Sequence, residues 1–222
     1  MIAYHFISEK YALNVVSDLR LKVSLLDDMN DPFELNAVCL PDRQSRQEAK
    51  KFKEYMADRF GILCFSKRWK NPLLWRHYAN RHKGVAIEFE IEDSVVLPIK
   101  YRKSRYALSL NKEFRRENKL NKKDIEGIWL TKYESWRYEE ELRVIVEKSD
   151  CIKENGFLFY PLSREIKMKG FVLGPFCEIT IREIQLLLPA KNTISVIKSR
   201  LASRSFDIVT QRDFKKKHLT GK

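Results

Sequence analysis

The stretch Trp136-Arg137-Tyr138-Glu139-Glu140-Glu141-Leu142-Arg143-Val144-Ile145-Val146-Glu147 constrains this chain more than any other. Its second half alternates, with Leu142, Val144 and Val146 on one side and Glu141, Arg143, Ile145 and Glu147 on the other. Period-2 alternation predicts a strand with one buried face. On that strand Glu139, Glu141 and Arg143 fall in one row. Two carboxylates beside a guanidinium carry repulsion and desolvation costs that a solvated strand avoids. Two readings of the row stand. Either Arg143 neutralises Glu141 on a half-exposed strand, or one carboxylate steadies a cationic centre while its neighbour holds a nucleophile.

The rest of the chain mixes strand and helix signals. Ile2 to Ile7 reads as a first strand ending at Ser8, which can cap a helix from about Glu9 to Asp18. Leu21 to Leu25 predicts a second strand, running into a turn across Asp27 to Glu34 where Pro32 holds Asp31 extended. Arg43 to Phe60 has amphipathic helical spacing, and Ile62 to Ser66 reads as a buried strand with a hydroxyl at its end. Asn71-Pro72 opens a short helix with Leu74, Trp75 and Tyr78 on one face. Val85 to Ile91 alternates again, and Ile125 to Tyr133 reads as a helix. Beyond Glu147, Asn155-Gly156 signals a hairpin and Ile166 to Leu173 a strand. Helices are expected at about Ile179 to Leu188 and Thr193 to Leu201, then a strand from Phe206 to Val209 and a frayed tail at Lys215 to His218. With no repeat and no low-complexity linker, the expectation is one α+β domain over residues 1–222, its split mixed and antiparallel sheets flanked by helices. It carries a basic helical insertion at about 103–124 and a short disordered C-terminal tail.

Charge narrows the partners. The 222 residues carry a formal net charge of +13, which predicts attraction to polyanions, nucleic acid first and an anionic membrane surface next. Within the insertion, Arg105, Arg115, Arg116, Lys119, Lys122 and Lys123 are the candidate phosphate-contacting residues, with a solvated face as the plainer reading. Cys39, Cys64, Cys151 and Cys177 show no CxxC pairing and read as reduced core thiols. The N-terminus lacks a signal peptide's basic and apolar regions, and no apolar run approaches the ~20 residues needed to span a bilayer. A cytoplasmic protein without a membrane partner is expected. The sequence has no GxGxxG, P-loop, HExxH or GxSxG motif, and its histidines at 5, 77, 82 and 218 are too scattered to suggest a metal cluster.

Several motifs together resemble a known pattern. Asn30-Asp31-Pro32-Phe33-Glu34, Cys64-Phe65-Ser66, Leu74-Trp75-x-x-Tyr78-Ala79 with His82-Lys83-Gly84-Val85, and Lys132 with Trp136-x-Tyr138-Glu139-x-Glu141-x-Arg143 look like the signature of an uncharacterised bacterial domain family, described as a domain of unknown function. A second resemblance supplies an activity. Tyr4-His5-Phe6-Ile7-Ser8, a short helix and then Leu21-Lys22-Val23-Ser24 are similar to the opening of NAD-dependent ADP-ribosyltransferases of the DarT and diphtheria-toxin type. That resemblance implies a split β fold clasping NAD between two sheets and a catalytic glutamate on a late strand. It would give His5 the adenosine ribose, Ser66 the polar end of a central strand, and Trp75 or Tyr78 the nicotinamide stack. Arg143 joins these cofactor-binding residues, and Glu141 or Glu139 is the catalytic carboxylate, with Glu141 slightly ahead for its place inside the strand.

The chemistry fits that assignment. Loss of nicotinamide builds positive charge on the ribose, so a carboxylate there favours the transition state over the ground state. The resulting expectation is an ADP-ribosyltransferase-like toxin or antiviral effector. NAD would be its substrate, nucleic acid its acceptor, and a neutralising or regulatory protein a possible partner, with no metal. Two alternatives stand beside it. One is a non-catalytic nucleic-acid-binding module of a defence system. The other is a metal-dependent nuclease using Glu139, Glu141 and one of Asp27, Asp28 or Asp31.

Overall fold

Runs of alternating polarity pair into one mixed sheet of nine strands, and the helices pack on its faces. The structure, a computed structural model, describes residues 1–26, 29, 31, 33, 38–39, 42–107, 127 and 129–221. Arg115, Arg116, Lys119, Lys122 and Lys123 of the expected insertion lie outside the described residues, as do Asp27, Asp28, Asn30, Pro32 and Glu34 of the expected turn.

In chain order the first elements are β1 (Ile2–Ile7), α1 (Glu9–Asp18), β2 (Arg20–Lys22), β3 (Val38–Cys39), α2 (Arg43–Arg59), β4 (Phe60–Ser66), α3 (Pro72–Tyr78) and β5 (Val85–Ile91). There follow β6 (Leu97–Pro98), β7 (Lys100–Arg102), β8 (Tyr106–Ala107), β9 (Thr131–Tyr133), a 3-10 helix (Glu134–Glu139) and β10 (Glu141–Glu147). The last third holds β11 (Ile152–Glu154), β12 (Phe157–Pro161), β13 (Ile166–Leu173), α4 (Ile181–Leu187), β14 (Thr193–Leu201), β15 (Ile208–Thr210) and β16 (Lys217–Thr220).

The main sheet runs β15-β14-β13-β5-β1-β4-β10-β6, with β16 also paired to β14. Strands β13 and β14 are parallel, and the other neighbours are antiparallel. The α+β expectation of mixed and antiparallel sheets holds. Two half-sheets meet at a single register pair. β1 pairs with β5 from Ile2↔Glu90 to Ile7↔Val85, and β10 with β4 from Glu141↔Ser66 to Glu147↔Phe60. β1 meets β4 only at Tyr4↔Ser66.

Both faces of the sheet are covered. On one, Ala3, Phe65, Phe89, Leu142 and Val144 form a cluster with Val15 and Val16 of α1 and Ile184 of α4. The other face carries two separate clusters. Ile62, Trp129 and Leu130 pack with Met56 of α2, while Ala86, Val172 and Trp69 pack with Trp75 of α3. β10 is therefore buried on both sides, and the row expected to be half-exposed is not: Arg143 is fully buried.

Other expectations need correction. Glu139 is not on the strand. It ends the 3-10 helix, Glu140 turns left-handed at φ 44°, and β10 starts at Glu141. Within 125–133, expected to be helical, Thr131–Tyr133 is β9, lying parallel to β7. Thr193–Leu201 is strand β14, not a helix: its Ile194 and Val196 are buried together on one face, and its β-branched residues favour the pleat. Of the tail expected to be frayed, Lys215 to His218, Lys217 and His218 lie in β16, which pairs with β14 from Thr193↔Thr220 to Val196↔Lys217 and buries Leu219. Ser8 makes no side-chain cap; its carbonyl accepts from Ala12 N instead. The Asn71 cap and the Asn155-Gly156 hairpin are present as predicted.

The sheet's two ends differ. β6 is two residues long and ends in Pro98, whereas β14 carries both β15 and β16. Among the described residues no helix is long and apolar enough to cross a membrane.

Gly84 fastens α3's exit to β1. A Cβ there would lie 2.2 Å from the Ile7 carbonyl oxygen, while one at Gly156 meets nothing within 4 Å. Gly84→Ala is expected to cost about 2 kcal/mol or more in urea unfolding. Gly156→Ala, strained only by φ 82°, should cost about 1 kcal/mol.

Candidate active site

Where β1 leaves β4, a pocket of about 270 Å³ opens. Tyr4, His5, Ser66, Tyr78, Lys132, Glu139 and Glu141 are among the residues that line it. By alternation His5 belongs with Ala3 and Ile7 on the face of the large cluster, while Tyr4 and Phe6 pack on the opposite face. A continuous ladder would keep His5 and Ser66 on opposite sides. The split brings them into one cavity.

His5 stands in for the missing ladder. Its Nδ1 donates to the Cys64 carbonyl oxygen at 2.9 Å, and its ring meets Phe65 edge-on at 5.8 Å. Burial lowers its pKa against the pull of that hydrogen bond, so the imidazole is neutral at pH 7. Nε2 is then the acceptor nitrogen, with no hydrogen-bond partner among the described residues. Ser66 is committed differently. Its hydroxyl donates to the Glu139 carbonyl at 2.6 Å and also approaches the Arg68 carbonyl at 2.9 Å. It ties the end of β4 to the 3-10 helix and so positions Glu139.

The charged row becomes a buried network. Lys132 Nζ donates to Glu139 Oε2 at 2.6 Å and to Glu141 Oε2 at 2.9 Å. Arg143 Nε donates to Glu141 Oε1 at 2.7 Å, and its guanidinium also reaches the Trp129 carbonyl at 2.8 Å. The Tyr78 hydroxyl donates to Glu139 Oε1, and the Tyr101 oxygen accepts from the Glu141 amide at 2.8 Å. Among the described residues, two cations face two carboxylates here, and Lys132, Glu139, Glu141 and Arg143 are all buried. The left-handed Glu140 allows this, because it turns the chain between the two acids so that both reach one ammonium.

The two carboxyls titrate apart. Burial works to raise Glu141, but Arg143 and Lys132 outweigh it and hold the group at about 2. At Glu139 burial dominates over Lys132 and the Tyr78 hydrogen bond, and its pKa is raised. Burial thus moves one carboxyl up while two cations move its neighbour down, the kind of separation that acid–base sites use.

Two expected site residues are not at the pocket. Trp75 is completely buried, with Nε1 bonded to the Trp69 carbonyl at 2.5 Å and Phe6 against its ring, so it has no face for nicotinamide. Arg143 is equally buried and serves Glu141. Tyr78 does reach the pocket. Arg105 lies elsewhere, 5.4 Å over the Phe33 ring. Lys132, the centre of the network, carried no assigned role in the sequence, although it sits in the quoted motifs seven residues before Glu139. The nuclease alternative drew its third side chain from Asp27, Asp28 or Asp31, of which Asp27 and Asp28 lie outside the described residues; among the described residues no group of three potential ligands gathers.

With this geometry in place, comparison with known proteins adds one result. Residues 74–144 match the model of a family described as a protein of unknown function (DUF2971). No curated protein and no solved structure matches the chain. The resemblance to an uncharacterised domain family is thus borne out over that segment, which runs from α3 into β10 and contains Tyr78, Lys132, Glu139, Glu141 and Arg143. His5 and Ser66 lie before it.

Lys132→Met leaves two buried carboxylates with one cation fewer and should cost about 3–5 kcal/mol in chemical denaturation. Adding Glu139→Gln should recover part of that loss. Glu141 is depressed from 4.5 to about 2, so its stabilisation is complete above pH 4.5 and lost as pH falls towards 2. The slope of stability against pH in that window should flatten in Glu141→Gln, measured by urea midpoints.

Proposed function

We propose that the pocket binds the nicotinamide riboside end of NAD and that the protein transfers ADP-ribose to an acceptor, with nucleic acid the expected class. One observation carries this reading: a first-strand imidazole and two acids, Glu139 at the end of the 3-10 helix and Glu141 at the start of β10, line one cleft at a sheet split. Burial raises the pKa of the first acid, and Arg143 and Lys132 lower that of the second. In the proposed step the bond between ribose C1′ and the nicotinamide nitrogen breaks, and nicotinamide leaves with the electron pair. The acceptor oxygen or nitrogen forms the new bond to C1′ and gives its proton to Glu139. Glu141, ionised throughout, stabilises the cationic ribose. Tyr78 is the aromatic wall for nicotinamide, and the Nε2 lone pair of His5 accepts from a ribose hydroxyl.

The pocket's volume agrees with this partial occupancy. At about 270 Å³ it falls below the ~300–1,000 Å³ typical of drug-sized ligands, so it suits half a dinucleotide better than the whole. The +13 charge supports a polyanionic acceptor; a toxin or antiviral effector, held in check by a protein partner, is the role proposed with that activity.

Incubation with labelled NAD and cell-free nucleic acid is expected to release nicotinamide and transfer label. Glu141→Gln should lower both by about 10²-fold or more. In Glu139→Gln the acidic limb of the pH profile, which lies above 4.5 in the parent, should disappear. Folded protein that neither releases nicotinamide nor transfers label would overturn the proposal.

A further inference from the structure

A second cavity, of about 340 Å³, also touches Lys132 but includes neither glutamate nor His5. Its cations are Arg102 at the end of β7 and Lys103 and Arg105 in the segment leading to β8. Thr131 and Tyr133 of β9 and the ring of Phe33 complete the wall. Phe33 and Tyr133 are about half exposed, at 53% and 52%. The neighbouring carboxylates are already matched. Glu134 takes two hydrogen bonds from Arg137, at 2.6 and 2.8 Å, and Glu139 and Glu141 hold Lys132.

Thr131 is the most specific observation. The residue is 3% exposed, and its buried hydroxyl oxygen has no hydrogen-bond partner among the described residues. An unmade hydrogen bond on a buried hydroxyl costs about 1–3 kcal/mol, a cost that a ligand's acceptor oxygen would relieve. Cations in a row match the charge and the several acceptor oxygens of a phosphate. Exposed aromatic rings beside them match the flat face of a base.

We infer that this cavity is a nucleotide-phosphate site, in which Lys103 and Arg105 contact the phosphate, Thr131 donates to it, and Phe33 or Tyr133 stacks on the attached base. The phosphate has two possible sources. One is the pyrophosphate of NAD, extending from a pocket too small for the whole molecule; the other is the backbone of a polynucleotide. The binding site stands whether or not the neighbouring pocket turns NAD over.

The test is calorimetric titration of the full chain with 5′-AMP, adenosine, NAD and a twelve-residue oligothymidylate. Wild type is compared with Lys103→Glu/Arg105→Glu and with Thr131→Val. Wild type should bind 5′-AMP at least ~10-fold more tightly than adenosine, and the double variant should abolish that preference. Thr131→Val should weaken 5′-AMP about 5-fold without lowering the melting temperature, because it removes a hydroxyl that makes no bond in the free protein. A hydroxyl with a purely structural role would give the reverse, lost stability with unchanged 5′-AMP binding, and would overturn the assignment. Equal or absent binding of 5′-AMP and adenosine would also overturn it. Weaker NAD binding in the double variant assigns the site to NAD. Weaker oligothymidylate binding, with a salt slope reduced by about 1 per cation removed, assigns it to a strand. Failure of nicotinamide release leaves these binding results intact, so the two readings fail separately.

Discussion

An ammonium held between two carboxylates inside a protein survives only if each charge finds its opposite at hydrogen-bond distance, since desolvation alone costs several kcal/mol per ion. Lys132 meets that condition through Glu139 and Glu141, and Arg143 completes the balance. These partners come from β9, the 3-10 helix and β10, so the network fixes how three consecutive elements fold onto one another. It also explains why β10, with charges on one face, can be buried on both. Its polar face packs against a balanced cation instead of water.

The split between β1 and β4 is the complementary constraint. A ladder continuing past Tyr4↔Ser66 would close the space that the network borders. His5 donates to the Cys64 carbonyl beside the interrupted ladder, a hydrogen bond that offsets part of the cost of the opening. The residues that hold the gap open are thus the residues that line it, and a site at this position follows from the sheet's own geometry.

Much of this was legible in the chain. β1, β4, β5, β10 and β13 follow from alternation and β-branched runs, α3 from Asn71-Pro72, and the β11–β12 hairpin from Asn155-Gly156. The closeness of Glu139, Glu141 and Arg143 was also readable, though for a different geometric reason, because no pattern announces that Glu140 adopts a left-handed turn. Trp75 and Tyr78 sit three apart on one helix, and periodicity cannot say which is core and which reaches the cavity. Lys132 was silent for the same reason: its meaning comes from partners across a fold, and a lysine in a basic chain carries no local mark of burial. β14 was misread because Ile194, Val196, Ile197 and Leu201 satisfy helical and pleated spacing about equally, and only its neighbours β13, β15 and β16 decide.

A sheet this wide ordinarily invites other chains to add strands at its borders. Here one border is the two-residue β6 with its proline, which offers almost no backbone for a newcomer to copy, and near the other β14 already carries β15 and β16. The consequence is colloidal: during synthesis at high local concentration, the main sheet presents, among the described residues, little template for edge-to-edge aggregation. The most C-terminal strand contributes to that protection as much as to the core.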